Sequence, residues 1–293
     1  MSNVSWEDQR IFLAVLEAGS LSGAARRLGL SHPTVRARIE SLENALGTVL
    51  FTRSVNGLAP TDVAATLGDA VRKMAAASEL FVRQATAVSN EVAGVVRLSV
   101  SDVTGVEVIP RMLHTLRERY PQLRIELVLS NEQANVLDHE VDLAVRNAVP
   151  KQEALVARRV RQVPIGLYAS PGYVARRGVP LDVEDLTNHD VIGPDRSLAD
   201  LAIADRLGGD LRNRFVLRTD SHPAQMAAAR AGLGITACQV PLGEADPMLV
   251  RVLPNFELGR LDVWLVTHES LSKAPAIRAV FDHLATAFAA QKY

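Results

Sequence analysis

The sequence predicts an α/β protein preceded by an all-helical N-terminal unit. Three observations carry this reading: three short capped helices and a hairpin open the chain, a proline-free stretch of about thirty residues repeats apolar positions every seven, and strands then alternate with helices to the end. The 293 residues suffice for two folded units, and 48% hydrophobic residues supply their cores. Lys plus Arg (32) nearly cancels Asp plus Glu (33), so any nucleic-acid binding must come from local placement of charge. The single cysteine, Cys238, excludes an intrachain disulfide and suits a reducing cytoplasm. Glu7, Asp8 and Arg10 interrupt the stretch where a signal peptide would need apolar residues, and no run of about 18 apolar residues occurs. The expectation is a cytoplasmic protein with no membrane contact.

Ser5 followed by Asp8 is an acidic variant of the capping box, and Phe12, Leu13, Val15 and Leu16 recur at helical spacing until Gly19. Ser20 or Ser22 caps a second helix with Ala24, Ala25 and Leu28 on its apolar side and Gly29 at its end. Ser31 caps a third, with Pro33 in its tolerant first turn, Val35, Ile39, Leu42 and Leu46 on one stripe, and Gly47 as its stop. Residues 49–53 and 58–61 flank Asn56-Gly57, a strong hairpin signal.

Residues 61–90 hold no proline and one glycine, which predicts a single long helix. Leu67, Met74, Phe81 and Val88 repeat every seven residues, with Val71, Ser78 and Ala85 four places after the first three. Such a seam packs on another helix, either that of a second chain or one of its own domain; the small Ala70, Ala77 and Ala85 beside it permit the close approach of a partner. After Ala93-Gly94 the spacing predicts strands over 95–100, 123–129, 141–145, 163–169, 215–218, 234–237 and 261–267. Helices are expected over 106–119, 132–139, 223–231 and 274–290.

Helices two and three, joined at Gly29-Leu30, have the length and turn of a DNA-binding helix-turn-helix over about residues 21–40. With the stripe from Val35 facing inward, Pro33, Thr34, Ala37 and Ser41 face outward between Arg36 and Arg38, which can reach phosphates or guanine edges. Ser31, His32 and Thr34 lie in the first turn, where the helix N-terminus favours an anion. Arg53 leads into a hairpin suited to act as a wing. The same signals also suit a protein-interaction module with solvated arginines. Glu7, Asp8, Glu17, Glu40 and Glu43 nearly balance the basic residues, so DNA binding would draw on dimeric geometry as well as charge.

The run from Phe12 to Ser20, then Ala24-Ala25, Ser31-His32-Pro33-Thr34-Val35, Ile39 to Glu43, Leu46-Gly47 and Leu50 to Arg53 resembles, in order and spacing, the signature of the LysR-type transcriptional regulators. That resemblance implies a winged helix-turn-helix over 4–61, a dimerising linker helix over 62–90, and a two-lobed periplasmic-binding-protein-like (type 2) effector domain over 94–293. It implies a non-enzymatic regulator that binds double-stranded promoter DNA, meets RNA polymerase, senses a small-molecule effector and assembles as a homodimer or homotetramer, with no cofactor or metal. Two departures bear on the reading helix: the family often has Gln where His32 stands and Ser-Arg where Arg36-Ala37 stand. Its contact pattern therefore does not transfer unaltered.

Similarity places the effector between the lobes, against loops that follow strands. There the sequence offers Ser101, Asp102 and Thr104, then Ser130 and Asn131, Arg146, and Thr219, Asp220, Ser221 and His222. Helix-terminal amides in these loops welcome a carboxylate and Arg146 could grip it bidentately, while Asp102, Glu132 and Asp220 keep a polar or cationic ligand open. Each of these residues could equally be a helix cap or loop polar group. Competing chemistry is thin. Gly232 to Ala237 fits G-x-G-x-x-A but follows a helix and precedes a strand, the reverse of a dinucleotide site. The histidines lack metal spacing, Arg158, Arg159 and Arg161 suit a solvated strand face, and Cys238 reads as a small buried residue. The alternative function is a cytoplasmic enzyme on the same two-lobed fold, resembling porphobilinogen deaminase, with a cofactor attached at Cys238.

Overall fold

In the computed structural model, which describes residues 4–54, 57–86, 92–131, 141–149 and 154–290, the N-terminal helices begin and end where their caps dictate. In α1 (Trp6–Ala18) the Ser5 side chain accepts from the Asp8 amide and the Asp8 side chain answers at Ser5, completing the capping box. α2 (Leu21–Leu28) is capped by Ser20 and α3 (His32–Leu46) by Ser31. Gly19, Gly29 and Gly47 close the three helices with φ of 63°, 67° and 66°, the left-handed region that only glycine enters freely. Ile11, Phe12, Val15, Ala24, Val35, Ile39 and Leu42 form their common core. Leu46, expected on the inner stripe, is 41% exposed, because the last turn of α3 runs past the helices it packs on.

β1 (Phe51–Ser54) and β2 (Gly57–Pro60) form the expected antiparallel hairpin, with Arg53 opposite Leu58; Asn56 lies outside the described residues. α4 (Asp62–Thr86) follows, and residues 87–90 of the expected helix, including Val88, again lie outside. The seam divides along its length. Ala64, Leu67 and Val71 pack into the helix-turn-helix core, so this half serves its own chain. Gly68 permits that approach, since a Cβ there would stand 2.5 Å from the Leu16 side chain. Met74 and Phe81 are 44% and 73% exposed.

The first 85 residues form one compact unit and the rest of the described chain a second. The second contains β3 (Gly94–Val100), a π-helical turn (Thr104–Val108), α5 (Ile109–Arg119), β4 (Leu123–Leu129), β5 (Leu143–Arg146) and β6 (Leu155–Ala169). It continues through α6 (Pro171–Arg177), β7 (Val191–Gly193), α7 (Leu198–Ala204), β8 (Phe215–Arg218), α8 (His222–Arg230), β9 (Thr236–Gln239), α9 (Val240–Ala245), β10 (Val250–Val252), β11 (Gly259–His268) and α10 (Pro275–Ala290). β3 pairs in parallel with β4, as strands joined by a helical crossover must, and in parallel with β5. The helix expected over 132–139 falls outside the described residues.

The sheet order is β10-β6-β11-β5-β3-β4, with β9 also on β6. β6 and β11 run antiparallel; the end of β11 pairs with β5, while the end of β6 pairs with β9 and β10. These two strands thus cross between two lobes, one built on β3 to β5 with α5 and α10, the other on β7 to β10 with α6 to α9. The second lobe holds a core around Leu167, Tyr173, Leu186, Leu211 and Ile235.

The strand expected at 163 begins at 155 instead. Its first half carries Arg158 and Arg159 on exposed positions, and Arg161 donates from Nη1 to the Phe288 carbonyl at 3.2 Å. The strand expected over 234–237 lies two residues later, which puts Cys238 inside it and leaves Gly232 in the preceding turn.

Candidate functional site

The reading helix presents a continuous polar face. Ser31, His32, Pro33, Thr34, Arg36, Ala37 and Arg38 are exposed, while Val35, Ile39 and Leu42 are buried beneath them. Ser31 Oγ accepts from the Thr34 amide at 3.2 Å and bonds its hydroxyl at 2.7 Å, which fixes the first turn. Arg36 stands 4.0 Å from Glu40, both side chains exposed, a pair worth at most about 0.5 kcal/mol and readily exchanged for a phosphate or base. Arg38 is less free. Its Nη1 donates to Asp8 Oδ1 at 3.0 Å, and Asp8, which burial pushes up, is pulled below the usual carboxylate range by its bonds from Ser5 and Arg38.

Two long-range bonds set the wing. Glu43 Oε1 accepts from the Leu50 amide at 2.7 Å and the Phe51 amide at 3.2 Å, so α3 holds the start of β1. The Leu58 amide donates to the Gly19 carbonyl at 3.1 Å, tying β2 to the end of α1. Arg53 is exposed on the hairpin so anchored. Glu43, legible in the sequence only as negative charge, thus anchors the wing, and Arg26, which no sequence signal marks, is exposed in the last turn of α2.

A cavity of about 560 Å³ opens between the two lobes of the second unit. Of the expected residues, Ser101, Ser130, Asn131, Arg146 and His222 line it. Thr104 does not: the chain enters a π-helical turn there and buries it, its hydroxyl accepting from Ser101 Oγ at 2.9 Å. Thr219, Asp220 and Ser221 are structural. Ser221 caps α8, Thr219 accepts from the Ser221 amide at 3.2 Å, and Asp220 accepts from the backbone amides of Asp195, Arg196 and Ser197, which hold its carboxyl below the ordinary range. Asn131 Oδ1 accepts from the Asp102 amide at 3.1 Å, fixing the loop after β3.

His222 bridges the lobes. Its Nδ1 lies 3.0 Å from Asp102 in the first lobe and its Nε2 3.3 Å from Asp200 in the second, while its backbone amide donates to Asp102 Oδ2 at 2.9 Å. The bonds to Asp102 and then Asp200 outweigh desolvation and push the imidazole up to about 10, so it is a cation at neutral pH. Arg230 makes a parallel link, from Nη2 to Glu107 of the first lobe at 2.9 Å and from Nε to Asp246 of the second at 2.7 Å. Neither Asp200 nor Glu107 stands out in sequence, since a partner 22 or 123 residues away leaves no local pattern.

Arg146, at the end of β5, is largely enclosed. Nη1 donates to the Ser99 and Val145 carbonyls at 3.2 and 2.8 Å, and Nη2 to Ser99 Oγ at 2.7 Å. Burial lowers it to about 10, and no carboxylate among the described residues pairs with it. Cys238 also borders the cavity, but burial pushes its thiol up to about 12, so it is not a nucleophile at neutral pH.

A family model described as "Bacterial regulatory helix-turn-helix protein, lysR family" matches residues 6–65, and one described as "LysR substrate binding domain" matches residues 89–289. An HTH-type transcriptional regulator of Xanthomonas campestris pv. campestris (strain 8004) is 30% identical over 62% of this chain. The match spans 53% of that relative's length, about half. The HTH-type transcriptional activator TtdR of Escherichia coli (strain UTI89 / UPEC) is 26% identical over 96% of this chain and 94% of its own. The solved structure of CbnR, a LysR family transcriptional regulator, superposes with a TM-score of 0.71 at 17% identity, covering 98% of this chain and 100% of that one, which shows a shared fold. A lysR-family regulatory helix-turn-helix followed by a two-lobed LysR substrate-binding domain is the class of protein so defined. The chain belongs to the LysR family of bacterial regulators, which leaves an enzymatic role for Cys238 without support.

Proposed function

We propose that the protein is a sequence-specific transcription regulator: α3 and the hairpin bind double-stranded promoter DNA, and a small molecule held between the lobes controls that binding. The observation that carries the reading is the exposed face from Ser31 to Arg38 over the buried Val35, Ile39 and Leu42, beside a wing anchored to both α1 and α3. CbnR has been solved in complex with its target DNA, which supports the same role here. In this reading His32, Pro33, Thr34 and Arg36 enter the groove, Arg53 tracks the backbone, and Arg38, oriented by Asp8, takes a phosphate. Met74 and Phe81, exposed on α4, support assembly through paired linker helices, a homodimer that we extend to a homotetramer. None of the described helices is long and apolar enough to cross a membrane; together with promoter binding this favours a cytoplasmic protein that meets RNA polymerase at its target.

The test is selection of a duplex from a random-sequence pool by the full-length protein, followed by fluorescence anisotropy at fixed salt. Arg36→Ala is expected to cost about 1–3 kcal/mol and to relax the choice of one base pair. Arg38→Ala is expected to cost less and to reduce the salt slope by about 1 with sequence preference kept. Enrichment of no sequence, or unchanged affinity in both variants, would overturn the assignment.

A further inference from the structure

The cavity between the lobes has two chemically different ends. At the first lobe stands Arg146, with Asn131 and Ser101 beside it. Both N–H groups of Nη1 and one of Nη2 are taken by Ser99 and Val145, which leaves Nε–H and one Nη2–H with no acceptor among the described residues. These two donors lie on one edge of the guanidinium, the fork that a carboxylate fills with two parallel hydrogen bonds. At the second lobe the wall is mostly apolar and reaches into the core, lined by Leu167, Ile203, Leu207, Leu211, Phe215 and Leu258, although Arg206 also stands on it.

The remaining charges sharpen the choice. The Asp200 carboxylate is engaged by His222 at 3.3 Å, and Arg260 is neutralised by Glu257 at 2.6 Å. Arg206, the other cation on the wall, has no ion-pair partner among the described residues. Among the described residues the cavity therefore has cationic groups to spare and no free carboxylate. An amino acid would bring an ammonium group to a site with no free anion for it among the described residues, and a sugar would leave its hydroxyls facing the apolar wall, at the cost of unmade hydrogen bonds.

We propose that the cleft takes an organic monocarboxylate with a bulky apolar body, its carboxylate on the free edge of Arg146 and its body in the chamber of the second lobe. The proposal rests on the reading of the cleft as the effector site and specifies what that site accepts. Such a ligand touches both lobes at once, so it favours the lobe arrangement that encloses it. The volume of about 560 Å³ lies in the range that encloses a small organic molecule.

The experiment is isothermal titration calorimetry on the full-length protein, with thermal shift as a parallel readout. The probes are 3-phenylpropanoate and cinnamate, the alcohols 3-phenylpropanol and cinnamyl alcohol, and acetate, succinate, phenylalanine and glucose. The apolar acids are expected to bind at least tenfold tighter than the matched alcohols and than acetate. Arg146→Gln is expected to erase the advantage of acid over alcohol, and Arg146→Lys, which keeps the charge and loses the fork, to retain part of it. Ile203→Trp, which fills the chamber from α7, is expected to weaken the aromatic acids in a protein whose Arg146 is intact, so the proposal does not hang on one variant. Equal binding of acids and alcohols, or an acid preference that survives Arg146→Gln, overturns the carboxylate clamp. Tighter binding of succinate, phenylalanine or glucose overturns the ligand class while the effector-site reading stands. Silence of every probe in both readouts overturns the proposal together with that reading.

Discussion

Met74→Glu combined with Phe81→Glu is expected to convert the assembled protein into monomers and to lower DNA affinity at least 100-fold. The two side chains lie seven residues apart on α4, downstream of Val71, which packs into the core of its own unit, and among the described residues there they are the large apolar groups left exposed. Burying a Phe or Met fully contributes about 1.5–3 kcal/mol, so two of each across a paired helix give about 6–12 kcal/mol before the cost of association. The variant would replace that gain with four carboxylates in an apolar seam, each needing a partner it does not have. One reading head binds with roughly the square root of the affinity of two linked heads, less the effective-concentration term, so loss of pairing reaches the DNA. Light scattering coupled to size exclusion at about 10 μM measures the first effect, and anisotropy on the selected duplex the second. A wild type that is already monomeric there, or a double variant that still assembles, would remove the linker helix from the interface.

The N-terminal unit was legible in the sequence because its signals are local. Ser5, Ser20 and Ser31 at helix starts and Gly19, Gly29 and Gly47 at helix ends act through bonds to residues three or four places away, so spacing alone locates them. The seam of α4 was legible as a pattern but not as a partition: a repeat of seven shows which face is apolar, and only packing shows that Leu67 and Val71 serve the chain's own core while Met74 and Phe81 do not. In the second unit, β6 was read from residue 163 although it starts at 155, because a strand crossing between lobes has no single buried face and its arginines break the alternation. Thr104 was misplaced for a related reason, since an exposed cap and a buried residue in a π-helical turn look alike in sequence. The ion pairs of the site, Arg38 with Asp8 and His222 with Asp102 and Asp200, join distant segments and leave no periodic trace.

His222→Gln is expected to flatten the dependence of stability on alkaline pH. In the folded protein Asp102 and Asp200 raise the imidazole to about 10, against about 6.5 in an unfolded chain. A group whose folded value is raised contributes its stability in full below the unfolded value, about pH 6.5, and loses it as pH climbs through the folded value of about 10. The carboxyls report the same bridge from the acid side: burial pushes Asp102 up, but the bonds from His222 and the neighbouring amides bring it below its usual value, and Asp200 is lowered first by His222, so their share is lost only as pH falls. Solvent reaches a third of the His222 side chain, so screening reduces the contribution well below the full linkage value, to about 2 kcal/mol. Wild-type protein should therefore lose thermal stability between about pH 7 and pH 10, while His222→Gln starts lower and declines less. Groups that titrate in both proteins cancel in the difference, which isolates the bridge from Arg146 and from the general alkaline trend. Because His222 joins the loop after β3 to the start of α8, its loss also frees one lobe from the other across the cavity mouth, and the variant should show faster amide exchange at Asp102 and Val103. Melting curves that run parallel for the two proteins from pH 7 to pH 10 would mean that the bridge holds no charge worth the name, whatever its geometry.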